Sequence, residues 1–243
     1  MRRSLIKMLQ LVMLLMMLLG GSILAQDEAE FTPEPDVIVE IPTVIYGNEP
    51  QLKNNILFTM DDCYDEILTR EMSEFLHERG LTGIFFPLTL AINDDDPQLW
   101  QDIVAAGFEI GYHTRFHQEG LTQDQLEADF LAFTEEIRVI LDDSEYVVQY
   151  VRPPYGIWNN DWLIWAEEND LHTVRWNIVT RFDLTMGYFE GVLRHADGGG
   201  IVLMHPRPTD IWWLENNIDA VLELRDDTDN LYLMVNLTEA FND

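Results

Sequence analysis

The stretch Asn55-Ile56-Leu57-Phe58-Thr59-Met60-Asp61-Asp62-Cys63 decides the fold. Ile56–Met60 is a short apolar run, the pattern of a buried strand, and it ends on two adjacent carboxylates. Asp65–Arg79 then places Ile67, Met72, Phe75 and Leu76 at helical spacing and stops at Gly80. Thr82–Leu88 is the next strand, so the unit is strand, helix, strand. The same alternation continues. Pro97–Ala106 predicts a helix stopped by Gly107, and Phe108–Tyr112 a strand. Thr122 and Gln125 form a capping box that opens a long helix to about Leu141. Val147–Val151, Leu171–Ile178, Gly200–Met204 and Leu231–Val235 read as strands. Asn160–Asn169, Met186–His195 and Thr209–Leu224 read as helices. This order predicts an α/β protein with parallel strands wrapped by helices. Seven or eight strands suggest a barrel over an open sheet, although pattern alone does not decide between them.

Upstream, Met1-Arg2-Arg3 and Lys7 precede an apolar run from Leu11 to Leu19, followed by Gly20-Gly21-Ser22-Ile23-Leu24-Ala25. A basic start, a short apolar stretch and small residues form a secretory signal pattern over residues 1–25. Cleavage after Ser22 or Ala25, or retention as an N-terminal anchor, are both open. Either outcome places the domain outside the cytoplasm, secreted or in the cell envelope (periplasmic or extracellular). Residues 26–51 are acidic and contain prolines, with a Val37–Ile45 apolar stretch, and read as a linker and lead-in strand.

The chain has 243 residues, enough for one barrel-sized domain after the leader. Hydrophobic residues at 47% and charged residues at 24% are ordinary for a folded protein. The charge balance is not: 14 Lys and Arg face 44 Asp and Glu, a net charge of −30. Arg2, Arg3 and Lys7 lie in the leader, so the remainder is more acidic still. Such a surface excludes nucleic acid as a partner and disfavours an anionic membrane, leaving the leader as the only membrane contact. It is also self-repelling, and a monomer is expected. The single cysteine, Cys63, rules out an internal disulfide.

In folds of this kind the chemistry collects at the C-terminal ends of strands. Asp61-Asp62, His113, Arg152 and His205 each follow an apolar run there. Adjacent carboxylates at a strand end point in different directions, so one can ligate a metal while the other acts as base; a solvated turn is the alternative. His113 and His117 are four apart and converge if their segment turns helically, which with a carboxylate makes a His₂Asp site with open positions. Arg152-Pro153-Pro154-Tyr155-Gly156 is a rigid turn whose arginine could orient a carboxylate. His205 has the right chemistry for a general acid. Each residue alone fits a structural role as well.

Together, in this order, the elements resemble the polysaccharide deacetylases of the NodB-homology class, the carbohydrate esterase family 4 type. Thr59-Met60-Asp61-Asp62-Cys63 resembles the family's first motif, Thr-Phe-Asp-Asp-Gly. His113-Thr114-Arg115-Phe116-His117 is similar to the second, Arg152–Gly156 to the third and Ile201–His205 to the fifth. The resemblance covers about residues 52–241 and implies a distorted (β/α) barrel. It implies that Asp62, His113 and His117 bind a divalent metal, zinc in most such proteins. Asp61 would be the base that activates water, held by Arg152. The Tyr155 backbone N–H would help stabilise the oxyanion, and His205 would protonate the leaving amine. The implied activity is removal of N-acetyl groups from an amino-sugar polymer or cell-envelope glycan. A related amidase or esterase acting on another acylated substrate, or a non-catalytic glycan-binding module, are the alternatives.

Two positions depart from the pattern. Cys63 stands in place of glycine, either as an extra thiolate ligand or as a small buried filler of the turn. The family's fourth motif has an aspartate after a tryptophan, but Trp176-Asn177-Ile178-Val179 puts a valine there, with Asp183 the nearest carboxylate able to partner His205. Trp158 and Trp212 follow the Arg152 and His205 segments, where they could stack on sugar faces or pack in the core.

Overall fold

The computed structural model describes residues 43–92, 96–181, 184–195 and 199–242. Residues 1–42, where a leader and linker are expected, and Asp183 lie outside the described residues. Among the described residues, no helix is long and apolar enough to cross a membrane.

The central strand is β2 (Asn55–Asp62), which contains the stretch quoted above. It pairs in parallel with β3 (Gly83–Pro87) on one side and β8 (Gly200–Met204) on the other. β4 (Glu109–Ile110) and β7 (Ile178–Val179) extend this sheet, and β9 (Leu233–Met234) pairs with the start of β2. A second sheet runs β1 (Val44–Ile45), β6 (His172–Val174), β5 (Tyr150–Val151). A parallel bridge between Tyr112 and Val151 links the two sheets. The parallel sheets curve into the distorted (β/α) barrel that the motifs implied.

The helices follow from local signals. In α1 (Glu66–His77), the Asp65 side chain accepts hydrogen bonds from the N–H groups of Ile67 and Leu68, and Thr69, Met72, Ser73 and Leu76 form the buried stripe. α2 spans Pro97–Ala105. α3 (Gln123–Leu141) has both halves of the Thr122–Gln125 capping box and ends where Asp142 turns left-handed at φ 51°. α4 (Asn160–Glu168), α5 (Met186–His195) and α6 (Pro208–Leu222) complete the outer layer. A last short helix, α7 (Leu237–Asn242), lies where no helix was expected; Asn236 caps it by accepting from the Glu239 N–H.

One expectation is corrected. Leu171–Ile178 is not one strand but β6 and β7, which belong to different sheets. Asn177 makes the break. Its side-chain amide accepts from the Ile201 N–H at 2.8 Å and donates to the Gly47 and Gly199 carbonyls at 3.3 Å each. These bonds take over the backbone pairing at the crossover.

Strand alternation divides the core in two. Ile56, Phe58 and Met60 of β2 face the helices, with Phe85, Val202 and Met204 from its neighbours. Leu57 faces inward with Ile84, Phe86, Val174 and Ile201, and α7 closes that interior with Leu237, Ala240 and Phe241. The same alternation puts Thr59 and Asp61 on the inward side of β2. Gly111 lacks a side chain because a Cβ there would lie 2.3 Å from the Phe86 ring, which fills the interior below the site.

Candidate active site

Asp61, on the inner face of β2, meets Arg152 just beyond β5. Arg152 Nη1 donates to Asp61 Oδ1 at 2.7 Å and to Thr59 Oγ1 at 2.8 Å. Its Nε and Nη2 donate to the carbonyls of Val174 and Arg175. The guanidinium lies 4.3 Å from the centroid of the Phe86 ring, and the residue is fully buried. These bonds fix one oxygen of Asp61, and its other oxygen, Oδ2, lies 3.7 Å from His113 Nε2.

Asp62 is the next residue but does not continue the strand. Its φ of 70°, and the φ of 57° at Cys63, turn the chain left-handed and swing the second carboxylate over the barrel rim. Asp62 Oδ1 lies 3.7 Å from His113 Nε2 and 3.5 Å from His117 Nε2. These three residues form a cluster whose ligand atoms all lie within 4.8 Å of one another. The histidines do not converge through a helical turn. Left-handed residues at Thr114 (φ 66°) and His117 (φ 58°) fold the segment into a loop instead.

His113 Nδ1 sits 2.7 Å from the Arg152 carbonyl, so Nδ1 carries the proton and Nε2 presents a lone pair. Burial lowers the pKa of His113 and keeps the ring neutral, against the pull of Asp61. Its Nε2 and Asp62 Oδ1 are buried and accept no hydrogen bond within the protein. Two unpaired buried acceptors aimed at one point, with a second imidazole beside them, fit a divalent cation and not a bare core. The hydrogen bond at the far nitrogen of a ligating histidine is the support such a site needs.

The Arg152–Gly156 turn presents Tyr155 at φ 57°, with its ring edge-on to His117 at 4.3 Å. Cys63 is buried, and its thiol points back to the Met60 carbonyl at 3.8 Å. Burial, then Asp61 and Asp62, push this thiol well above its usual pKa. It fills the turn as a neutral group.

His205, one residue past β8, lies 3.9 Å from Asp62 Oδ2. Burial depresses its pKa and Arg207 adds to that, while Asp61, Asp62 and Asp210 oppose it. Asp210 was not anticipated from sequence. It sits in the first turn of α6, is buried, and hydrogen-bonds the Thr180 hydroxyl at the end of β7. The valine at the fourth-motif position, Val179, is partly exposed. A carboxylate thus reaches the His205 neighbourhood from α6 instead of from β7. Asp210 lies five positions after His205, and a capping-turn aspartate was the only signal in the sequence. Arg207 was also missed: its Nη2 donates to Asp62 Oδ2 at 2.7 Å.

The tryptophans differ in place. Trp158 is half-buried with the Arg175 guanidinium 4.8 Å from its ring centroid. Trp212 is 43% exposed on α6, whereas Trp213 is core, stacked on Phe189.

The model of the family described as polysaccharide deacetylase matches residues 48–174, more than half of the chain. The protein belongs to the polysaccharide deacetylase family. A chitooligosaccharide deacetylase of Sinorhizobium fredii is 29% identical over 156 residues, covering 62% of this chain and 71% of that protein. A peptidoglycan-N-acetylglucosamine deacetylase of Bacillus cereus is 27% identical over 182 residues, 71% of this chain and 62% of that one. Among solved structures, a family 4 carbohydrate esterase from Bacillus anthracis superposes with a TM-score of 0.65 at 22% identity, covering 82% of this chain and 87% of that chain. A family 4 pseudoenzyme from the same organism superposes with a TM-score of 0.64 at 20% identity, covering 83% and 70%. The family is metal-dependent, and the Asp62–His113–His117 cluster has the donor set for it.

Proposed function

We propose that the protein is an exported, metal-dependent hydrolase that removes N-acetyl groups from an amino-sugar polymer or cell-envelope glycan. The observation that carries this reading is the pairing of two unsatisfied buried acceptors, His113 Nε2 and Asp62 Oδ1, with a neighbouring Asp61 pinned by Arg152. Two imidazole nitrogens and one carboxylate are the ligands of catalytic zinc sites, so zinc is the metal proposed. When bound, the metal polarises the acyl carbonyl and makes water a nucleophile at neutral pH.

The chain's own residues supply the rest. Asp61 Oδ2, beside His113 Nε2 at 3.7 Å, takes the proton from the attacking water. The Tyr155 N–H donates to the oxygen that becomes negative when the acetyl carbon turns tetrahedral. His205 gives a proton to the departing sugar nitrogen, with Asp210 as the carboxylate near it. Exposed aromatic rings at Tyr155, Phe116 and Trp212, together with half-buried Trp158, offer apolar faces for a neutral sugar.

The absence of a fourth-motif aspartate, at Val179, favours a second reading, a glycan-binding module without turnover. Acetate release from chitin oligomers, peptidoglycan and acetylxylan, with metal content of the purified protein, tests the proposal. Asp61→Asn should abolish release with metal retained, and His113→Ala should lose the metal. A folded protein that binds no divalent metal at neutral pH would overturn the hydrolase reading.

A further inference from the structure

Arg207 stands where local rules disfavour it. It is the N-cap of α6, a position that prefers a short side chain able to accept from the exposed N–H groups. Arg207 makes no such cap bond and sets a positive charge at the positive end of the helix dipole. Its backbone is spent on the turn: the N–H donates to the His205 carbonyl at 2.7 Å, and its carbonyl accepts from Asp210 and Ile211. The side chain reaches back, 54% exposed, to the buried Asp62 Oδ2 at 2.7 Å, its one ion pair among the described residues. A cost at the helix end is set against a single contact with a metal-ligand residue.

That contact divides the two oxygens of Asp62. Oδ1 faces the Nε2 atoms of His113 and His117, and Oδ2 takes the Arg207 hydrogen bond at 2.7 Å, with His205 Nε2 further off at 3.9 Å. We propose that Arg207 is a positioning residue that occupies Asp62 Oδ2 and confines Asp62 to a single oxygen on the metal. The inference rests on the metal-site reading above. Its sign follows from the direction of donation. His113 Nδ1–H donates to the Arg152 carbonyl, which makes Nε2 a stronger ligand. Arg207 does the opposite: a donor on a ligating carboxylate withdraws electron density, and its charge repels the cation. The chain gives up metal affinity to keep coordination positions open for water and the acyl oxygen, as a catalytic site requires.

The test measures metal, not turnover. Wild type, Arg207→Met and Arg207→Lys are compared by chelator competition for Zn²⁺ and by visible absorption of the Co²⁺ form, with folding checked by circular dichroism. Arg207→Met should bind Zn²⁺ on the order of tenfold more tightly, because a repelling charge a few ångströms from the cation is removed. Its Co²⁺ bands should weaken as Asp62 becomes bidentate and coordination number rises. Arg207→Lys, which keeps the charge, should fall between the two. Arg207→Leu, which also removes both the donor and the charge, replaces the methionine variant if that one does not fold, with the same expected tightening. Affinity equal to or weaker than wild type, with an unchanged Co²⁺ spectrum, overturns the proposal while leaving the metal site intact. A wild-type protein that binds neither ion overturns both.

Discussion

Arg152 Nη1 and Asp61 Oδ1 meet at 2.7 Å inside the barrel, with the arginine side chain wholly removed from solvent. Burying two charges is costly, and the hydrogen bonds around the pair offset that cost. Thr59, Val174 and Arg175 each accept one further N–H of the guanidinium.

Removing one partner therefore strands the other. Arg152→Met should destabilise the protein by about 3–5 kcal/mol, seen as a lower urea midpoint. Asp61→Leu combined with Arg152→Met should recover part of that loss, because the double variant buries no unpaired charge. Strictly additive losses would show that the pair is not coupled. Both variants should be inactive.

The Asp210 carboxylate gives a pH prediction. Burial lowers the pKa of His205, and Asp210 is among the groups that hold it up. An acid must be protonated to work, so turnover should fall as pH rises through the pKa of His205. Removing the Asp210 charge lowers that pKa further. Asp210→Asn should thus move the alkaline limb of the kcat profile to lower pH and reduce kcat at neutral pH. Asp183→Asn is the comparison: if it moves the limb and Asp210→Asn does not, the carboxylate has been wrongly assigned to α6.

Most of this site was legible because its residues break apolar runs. Asp61, Asp62, His113, Arg152 and His205 each interrupt or end a strand pattern, where a polar residue has few structural reasons to be. Asp210 and Arg207 carry no such mark. They lie in a helix start, where aspartate is ordinary, and their relevance depends on the turn after β8. Leu171–Ile178 misled because its composition suits a strand throughout, and only the Asn177 amide bonding to Gly47, Gly199 and Ile201 reveals the break. The convergence of His113 and His117 was foreseen, but by a helical turn. The left-handed Thr114 and His117 that produce it lack the glycine signature by which such positions are read.

Cys63 offers a test of strain. Its φ of 57° is disfavoured for a residue with a side chain, at a cost on the order of 1 kcal/mol. Cys63→Gly should relieve that strain but empty a small buried volume, leaving stability within about 1 kcal/mol of wild type. Metal content should be unchanged, because the thiol points to the Met60 carbonyl. In the folded wild type the thiol should resist alkylating reagents until denaturant exposes it, since burial both hides it and keeps it protonated. Loss of metal in Cys63→Gly would restore the thiolate-ligand reading.

The loop that carries both histidines is tied to α3 through Asp129. One oxygen, Oδ2, accepts from the Tyr112 hydroxyl and from the Arg115 N–H, each at 2.8 Å. Burial, and then the Asp129 charge, push the Tyr112 hydroxyl far above its usual pKa, so it remains the donor. Tyr112 immediately precedes His113, and Arg115 lies midway between the two histidines. Asp129 is not one of the three candidate ligands, yet its two hydrogen bonds tie down the loop on either side of His113. Asp129→Ala should weaken Zn²⁺ binding about 10-fold or more, in line with the loss of a group that supports a ligand. Asp129→Asn keeps an acceptor oxygen and should lose less. The far-ultraviolet circular dichroism of both should match wild type. Equal Zn²⁺ affinity across the three proteins, by chelator competition, would show that the loop holds its shape without Asp129 and that the left-handed turns at Thr114 and His117 are enough to place the histidines.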